Sequence, residues 1–172
     1  MKRRAIVSVC LLAIVVVLVA TYVILSSLPS TVLSVEPRSV HEATGQTFAV
    51  NVSISNVADL YAWQLDFSWN SSLLTVTNIT EGPMLRSSGN STYFSPKLNN
   101  PAGNLSALCT RLHSLGSAVA GVSGSGTLMT IQFKVIASGE CDLNLYGTQL
   151  SNSNSTNPGP ISHTVQNGHF ST

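Results

Sequence analysis

The sequence predicts an all-β fold, a sandwich of nine strands, preceded by one N-terminal transmembrane helix. Three observations carry this. Beyond residue 30, apolar and polar residues alternate over short runs, which is the period of a half-buried strand. Those runs are separated by Gly, Pro, Asn and Ser, the residues that make turns. Residues 5–25, in contrast, are unbroken apolar sequence without a charge. At 172 residues the chain has room for one ordinary domain and an appendage, hence the division into 1–28 and 31–172.

Residues 5–25 as a helix reach roughly 31 Å at about 1.5 Å per residue, enough to cross a bilayer's hydrocarbon core. Lys2, Arg3 and Arg4 in front of them favour the cytoplasmic side, so the expected protein is single-pass with its C-terminal domain extracellular. A cleaved signal peptide is the competing reading, but its apolar stretch is usually shorter and ends in a small-x-small site, where this chain has Ser26-Ser-Leu-Pro29. Both readings place the domain outside the cytoplasm. Charged residues are only 9% of the chain, and after Arg4 five basic residues face seven acidic ones, so a coiled coil and a nucleic-acid-binding field are excluded.

Expected strands fall at about 31–36, 47–55, 60–69, 73–80, 92–97, 104–111, 127–137, 141–150 and 161–170. In the second, Phe48, Val50, Val52 and Ile54 share one side. In the third, Tyr61, Trp63, Leu65, Phe67 and Trp69 oppose Ala62, Gln64, Asp66 and Ser68. Residues 112–126 read as a glycine-rich loop; a strand rather than a helix follows it, so a phosphate cradle is excluded. Residues 151–160 read as a polar loop.

Cys10 lies in the apolar segment, leaving Cys109 and Cys141 either as a disulfide in an oxidising exterior or as two buried thiols. Six sequons, at Asn51, Asn70, Asn78, Asn90, Asn104 and Asn154, make the domain a candidate glycoprotein.

Several stretches resemble, in order and spacing, the cohesin family. They are Leu33-Ser-Val-Glu-Pro37, Gly45-Gln-Thr-Phe-Ala-Val-Asn-Val-Ser-Ile-Ser-Asn-Val57, Phe67-Ser-Trp-Asn-Ser-Ser-Leu-Leu74, Gly82, Gly124-Ser-Gly-Thr-Leu-Met-Thr-Ile-Gln-Phe-Lys-Val135 and Asn167-Gly-His-Phe170. The resemblance implies a nine-stranded jelly-roll sandwich that docks a dockerin-bearing protein, with calcium carried by the partner. Strands eight, three, six and five would form the docking face. The partner-binding residues it implies are Ala62, Gln64, Asp66 and Ser68. Two departures stand out: Asn70-Ser71 replaces the family's usual Asp-Pro, and Ala62 and Gln64 stand where cellulosomal relatives commonly carry Asn and Asp.

For chemistry the residues offer little. Asp59 and Asp66 have opposite parity on one strand, which separates them as an acid/base pair. Glu140 and Asp142 sit at a turn, and His163 and His169 are expected on one strand face roughly 20 Å apart. No calcium-loop pattern occurs in the sequence. The chain is read as no enzyme and as having no cofactor. Two further functions stay open at this point. If the Trp63 and Trp69 rings faced water they would form a polysaccharide-binding platform; if they are core, sugar recognition needs Tyr93 or Tyr146. The other is a purely structural surface or adhesion domain.

Overall fold

The computed structural model describes residues 30–87, 89, 91–112, 119–154 and 159–172. The segment 5–25 with Cys10, the sequon residue Asn90 and His113 lie outside the described residues. Ten strands are described: β1 (Val32–Glu36), β2 (Ser39–His41), β3 (Thr47–Ser68), β4 (Leu74–Glu81), β5 (Thr92–Asn99), β6 (Asn104–Arg111), β7 (Val122–Val135), β8 (Glu140–Asn152), β9 (Thr164–Gln166) and β10 (Gly168–Ser171).

They form two layers that share β3. One layer runs β9–β1–β3–β7–β4 and the other β2–β10–β8–β3–β6–β5. Every pairing is antiparallel except β1 with β9 and β10 with β2. The first half of β3 pairs with β1 and β7, and the half from Leu60 onward pairs chiefly with β6 and β8.

Two strands expected at 47–55 and 60–69 are therefore one strand of 22 residues that changes layers. The change happens at Asn56 and Asp59, whose φ of 55° and 60° lies in the left-handed region that these two residue types tolerate. The bulged chain keeps its ladder, since Val57 still stands opposite Gly124 and Leu60 opposite Val122. This is why Val122–Gly126, expected as loop, is strand.

Asp59 ties the crossing together. Its carboxylate accepts from the Gly121 amide at 2.9 Å, the Ser153 amide at 3.1 Å and the Ser153 hydroxyl at 2.7 Å, and its own amide donates to Ser123 Oγ at 3.0 Å. Gly121 passes so close that a Cβ there would stand 2.4 Å from the Asp59 carbonyl carbon, so no larger residue fits without moving backbone.

The space between the layers is filled by rings and branched chains. Phe48 stacks on Phe133 at 5.4 Å and on Phe170 at 5.3 Å, while Phe67 and Trp69 meet Phe133 at 6.2 and 5.5 Å. Contacts between β3, β7 and β10 thus close the sandwich. Trp69 also donates its indole N–H to the Leu74 carbonyl at 3.0 Å, satisfying its one polar atom inside the core. Truncating such a ring to alanine typically costs about 3–5 kcal/mol. That is a large part of the roughly 5–15 kcal/mol by which a domain is stable.

Two more differences from the sequence reading have local causes. β2 is three residues long, too short to show a period, and exists because β10 pairs with it. The expected strand 161–170 splits at Asn167, whose side chain accepts from the Leu145 amide at 3.0 Å and donates to Asn144 Oδ1 at 2.9 Å. The chain on one side joins β1 as β9, and on the other joins β8 as β10. His163 and His169 therefore do not share a strand face. His163 bonds the Ile161 carbonyl and Thr148, whereas His169 lies 3.0 Å from Asp142 and 3.9 Å from Glu140.

The Ser153 hydroxyl, opposed by burial and aided by the Ser153 and Gly121 amides, holds the Asp59 carboxyl below its usual value. A lowered native pKa means that the unfolded chain binds the proton more tightly, so the Asp59 contribution is full above about pH 4 and fades as pH falls through the native value. Asp59→Asn should lower the melting temperature at pH 6, and the gap from wild type should narrow progressively toward pH 3 in a thermal-melt series. A gap independent of pH would mean that the charge contributes nothing.

Candidate functional site

The second half of β3, with Trp69 just past its end, alternates as its sequence requires. Trp63 is 3% exposed, Leu65 and Phe67 are fully buried and Trp69 is 6% exposed, whereas Gln64 is exposed and Ala62, Asp66 and Ser68 are partly so. Tyr61, expected with the rings, is half-buried. The indoles are core, and the outer side of the layer is left to the polar residues.

Register extends that outer side across four strands. Ser68 lies between Asn144 on β8 and Asn104 on β6, with Asn99 of β5 beyond. Asp66 lies between Tyr146 and Ser106, with Lys97 beyond; Gln64 between Gln149 and Leu108, with Ser95 beyond; Ala62 between Ser151 and Thr110, with Tyr93 beyond. All four partner-binding candidates are thus on one face. Sequence reasoning missed their neighbours Leu108, Ser95, Lys97 and Gln149, because cross-strand register is not visible in any single strand.

Asp66 is held by the Ser106 hydroxyl, which donates to Oδ1. On its other flank Gly147 has φ +56°, and a Cβ there would come within 2.5 Å of Asp66 Oδ2. Glycine at 147 serves both the left-handed turn of the β8 bulge and the space the carboxylate occupies. The face is not flat. A hollow of about 320 Å³ opens between Gln64, Ser95, Lys97, Ser106 and Leu108, and a second of about 210 Å³ between Ala62, Gln64, Leu108, Thr110, Gln149 and Ser151. Beyond Asn144, the exposed Glu140 and Asp142 at the start of β8 flank His169.

No acid/base pair is assembled by Asp59 and Asp66, which bond Ser153 and Ser106 respectively at separate places. Among the described residues no group of three His, Cys, Asp or Glu side chains is placed to hold a metal ion. Tyr93 and Tyr146 are both exposed, but they stand on the two outer strands of the face, three strand spacings and two rows apart. That is roughly 20 Å from strand geometry, too far to stack on one sugar ring.

The comparisons with known proteins agree with this architecture. A family model for the cohesin domain matches residues 33–169. The chain belongs to the cohesin family. Among solved structures, the non-cellulosomal cohesin of the hyperthermophilic archaeon Archaeoglobus fulgidus is 18% identical, with a TM-score of 0.66 over 83% of this chain and 91% of that one. A type II cohesin from the cellulosome of Acetivibrio cellulolyticus is 15% identical, with a TM-score of 0.66 over 83% and 95%. The type I cohesin of OlpA from Clostridium thermocellum, solved as a complex with the dockerin Doc918, is 16% identical, with a TM-score of 0.66 over 83% and 99%. None of the curated proteins compared matches the chain. Cohesins are binding modules without catalytic activity, and in complexes such as the last their partner is a dockerin.

The described sequons sort by position. Asn70 and Asn78 are exposed, Asn70 receiving the Ser72 amide, and Asn154 is exposed beside Asn152. Asn51 accepts from Thr130 Oγ1 at 2.7 Å on a central strand. Asn104 lies on the candidate docking face itself, beside Ser68.

Both described cysteines of this cohesin are free thiols, which corrects the disulfide alternative. Cys109 flanks Trp63 on one side while Leu150 flanks it on the other; Cys141 is nine residues back along β8 from Leu150. By strand rise the two are on the order of 30 Å apart, against the ~7 Å limit for a bridge. Burial, with the Glu81 carboxylate beside it, pushes the Cys109 thiol up to about 12, and burial raises Cys141 as well. Iodoacetamide at pH 8 should therefore leave Cys109 unmodified in the folded protein and label it on unfolding, read by peptide mass. Dithiothreitol should leave the melting temperature unchanged; a reductant-dependent drop would restore the disulfide.

Proposed function

We propose that this cohesin is a membrane-anchored extracellular module that docks a dockerin-bearing protein on the β8–β3–β6–β5 face and catalyses nothing. One observation carries the reading: the rings of β3 are inside, which leaves a continuous four-strand face whose outward residues are mainly hydrogen-bonding groups. Such a surface suits a protein partner held by a few strong contacts. Calcium belongs to the partner. Polysaccharide binding loses its best support with Trp63 and Trp69 buried and Tyr93 and Tyr146 on the two outer strands of the face.

Within this reading Gln64 and Asp66 are the central hydrogen-bonding contacts, Asp66 being held in position from both flanks. The full chain in mild detergent should capture a dockerin-bearing protein from the same cell in calcium and release it in EDTA. Gln64→Ala and Asp66→Ala should each weaken capture about five- to tenfold, as loss of a contact worth more than about 1 kcal/mol does. Equal capture by both variants would take β3 out of the interface. Tryptophan emission should stay unaltered across soluble glucans.

The anchor has its own test. Residues 5–25 should keep the protein in the membrane pellet through alkaline carbonate washing, and protease added to intact cells should degrade the domain. Release of a chain that begins near residue 30 would show cleavage instead.

A further inference from the structure

Four strands about 4.8 Å apart and four rows about 7 Å apart give the β8–β3–β6–β5 face an area of roughly 500 Å². A stable protein–protein interface takes about 800 Å² from each partner. A partner seated on this face therefore cannot avoid its last row, where Ser68 stands between Asn144 and Asn104.

Asn104 differs from its polar neighbours there. It opens the sequon Asn104-Leu105-Ser106, and it is the first residue of β6, closing the hairpin against Asn99 just after Gly103 with φ of 63°. Leu105 beside it is fully buried, so by strand parity the half-buried Asn104 side chain faces outward. Asn144 Oδ1 accepts from Asn167 Nδ2 at 2.9 Å and Asp66 accepts from Ser106, whereas among the described residues the Asn104 side chain makes no hydrogen bond. Its amide is free to carry a substituent.

The folded domain does not offer this sequon as an extended acceptor, because Leu105 is core and the Ser106 hydroxyl is engaged. Transfer thus belongs to the interval before β6 is seated between β3 and β5. That interval is short: a hairpin closes in roughly 1–10 μs, though it is marginal alone, and β3, which fixes it, precedes it in the chain. Transfer competes with folding, so part of the molecules escapes it. Afterwards the side chain still faces outward, and a sugar on it displaces nothing from the core.

Resting on the docking reading above, we infer that Asn104 is a glycosylation site whose occupant closes the β8–β3–β6–β5 face, dividing the protein into an open and a closed form fixed as the chain folds. The donor is an oligosaccharide linked to a lipid diphosphate. The bond from its anomeric carbon to the phosphate oxygen breaks, a bond from that carbon to Asn104 Nδ2 forms, the amide gives up one proton and the lipid diphosphate leaves. The sugar then rises from the Ser68 row, one row from Asp66. Asn51 and Asn78 belong to the other layer and cannot close the face.

The test takes the full chain, in mild detergent, from the cell that makes it and passes it over the immobilised, calcium-loaded dockerin modules of the same genome. The tryptic peptide Leu98–Arg111 contains Asn104 and no other sequon, so its mass reads this site alone. It should carry sugar in the unbound fraction and be bare in the bound one, with at least about tenfold enrichment between them, as loss of one interface contact already gives. Asn104→Gln should be captured as completely as native chain made in cells without the oligosaccharide transferase, at an unchanged melting temperature, and Asn78→Gln should not gain. The chain from transferase-free cells carries the native residue and answers the question should the variant fail to fold. A bare peptide in every molecule, or equally modified peptide in both fractions, overturns the inference and leaves docking standing. If neither the variant nor the unmodified chain binds any module, the docking reading falls and the closure with it.

Discussion

The parity of β3 governs the molecule. Because successive residues of a strand point to opposite sides, burying Trp63, Leu65, Phe67 and Trp69 obliges Ala62, Gln64, Asp66 and Ser68 to face outward. A slip of one residue would put four large apolar side chains in water and an aspartate in the core, a change far beyond the stability of an ordinary domain. The ring cluster around Phe133 makes that slip impossible from the other layer, since Phe67 and Trp69 meet it only in this register. Core and candidate docking face are two sides of one constraint.

The single strand serves both layers with its parity reset between them, over the irregular stretch from Asn56 to Ala62. Before it the even-numbered Phe48, Val50, Val52 and Ile54 are buried, within it Val57 and Leu60 are, and only beyond it are the odd-numbered Trp63, Leu65 and Phe67. A regular strand could not make that change, whereas a bulge with two left-handed residues does. The Asp59 carboxylate then accepts bonds from the segments leading into β7 and out of β8, so the switch is held from both neighbours. The candidate docking face begins immediately after this knot, and its β3 column inherits its orientation from it.

Much of this was legible in the chain, for physical reasons that also mark the limit. Alternation is local, so the inward residues of β3 could be read directly, and the motif pieces from Leu33 to Phe170 pointed to the family that the match over residues 33–169 shows. Register is not local. Nothing in residues 104–111 says that Leu108 will stand beside Gln64, or that Cys109 and Cys141 will lie at opposite ends of a layer. Asp59 looked like a spare acid because its partners, Gly121 and Ser153, come from distant segments. The merged strand was missed for a related cause: Asn and Asp at 56 and 59 are turn formers by composition, and only the pairing of Val57 and Leu60 with β7 keeps them in a strand.

The same geometry sets a sequon on the candidate docking face. Asn104 is a sequon residue, and its side chain rises from the row of Ser68, one row from Asp66 and two from Gln64. Rows are about 7 Å apart, so a glycan attached there would cover the ground that a docked protein needs. Asn78, exposed on strand β4 of the other layer, carries no such conflict. A glycan at Asn78 would leave the β8–β3–β6–β5 face free, whereas one at Asn104 would stand on it. Were Asn104 to carry a glycan, the β8–β3–β6–β5 face of that molecule would be covered, because the sugar would rise from within its rows.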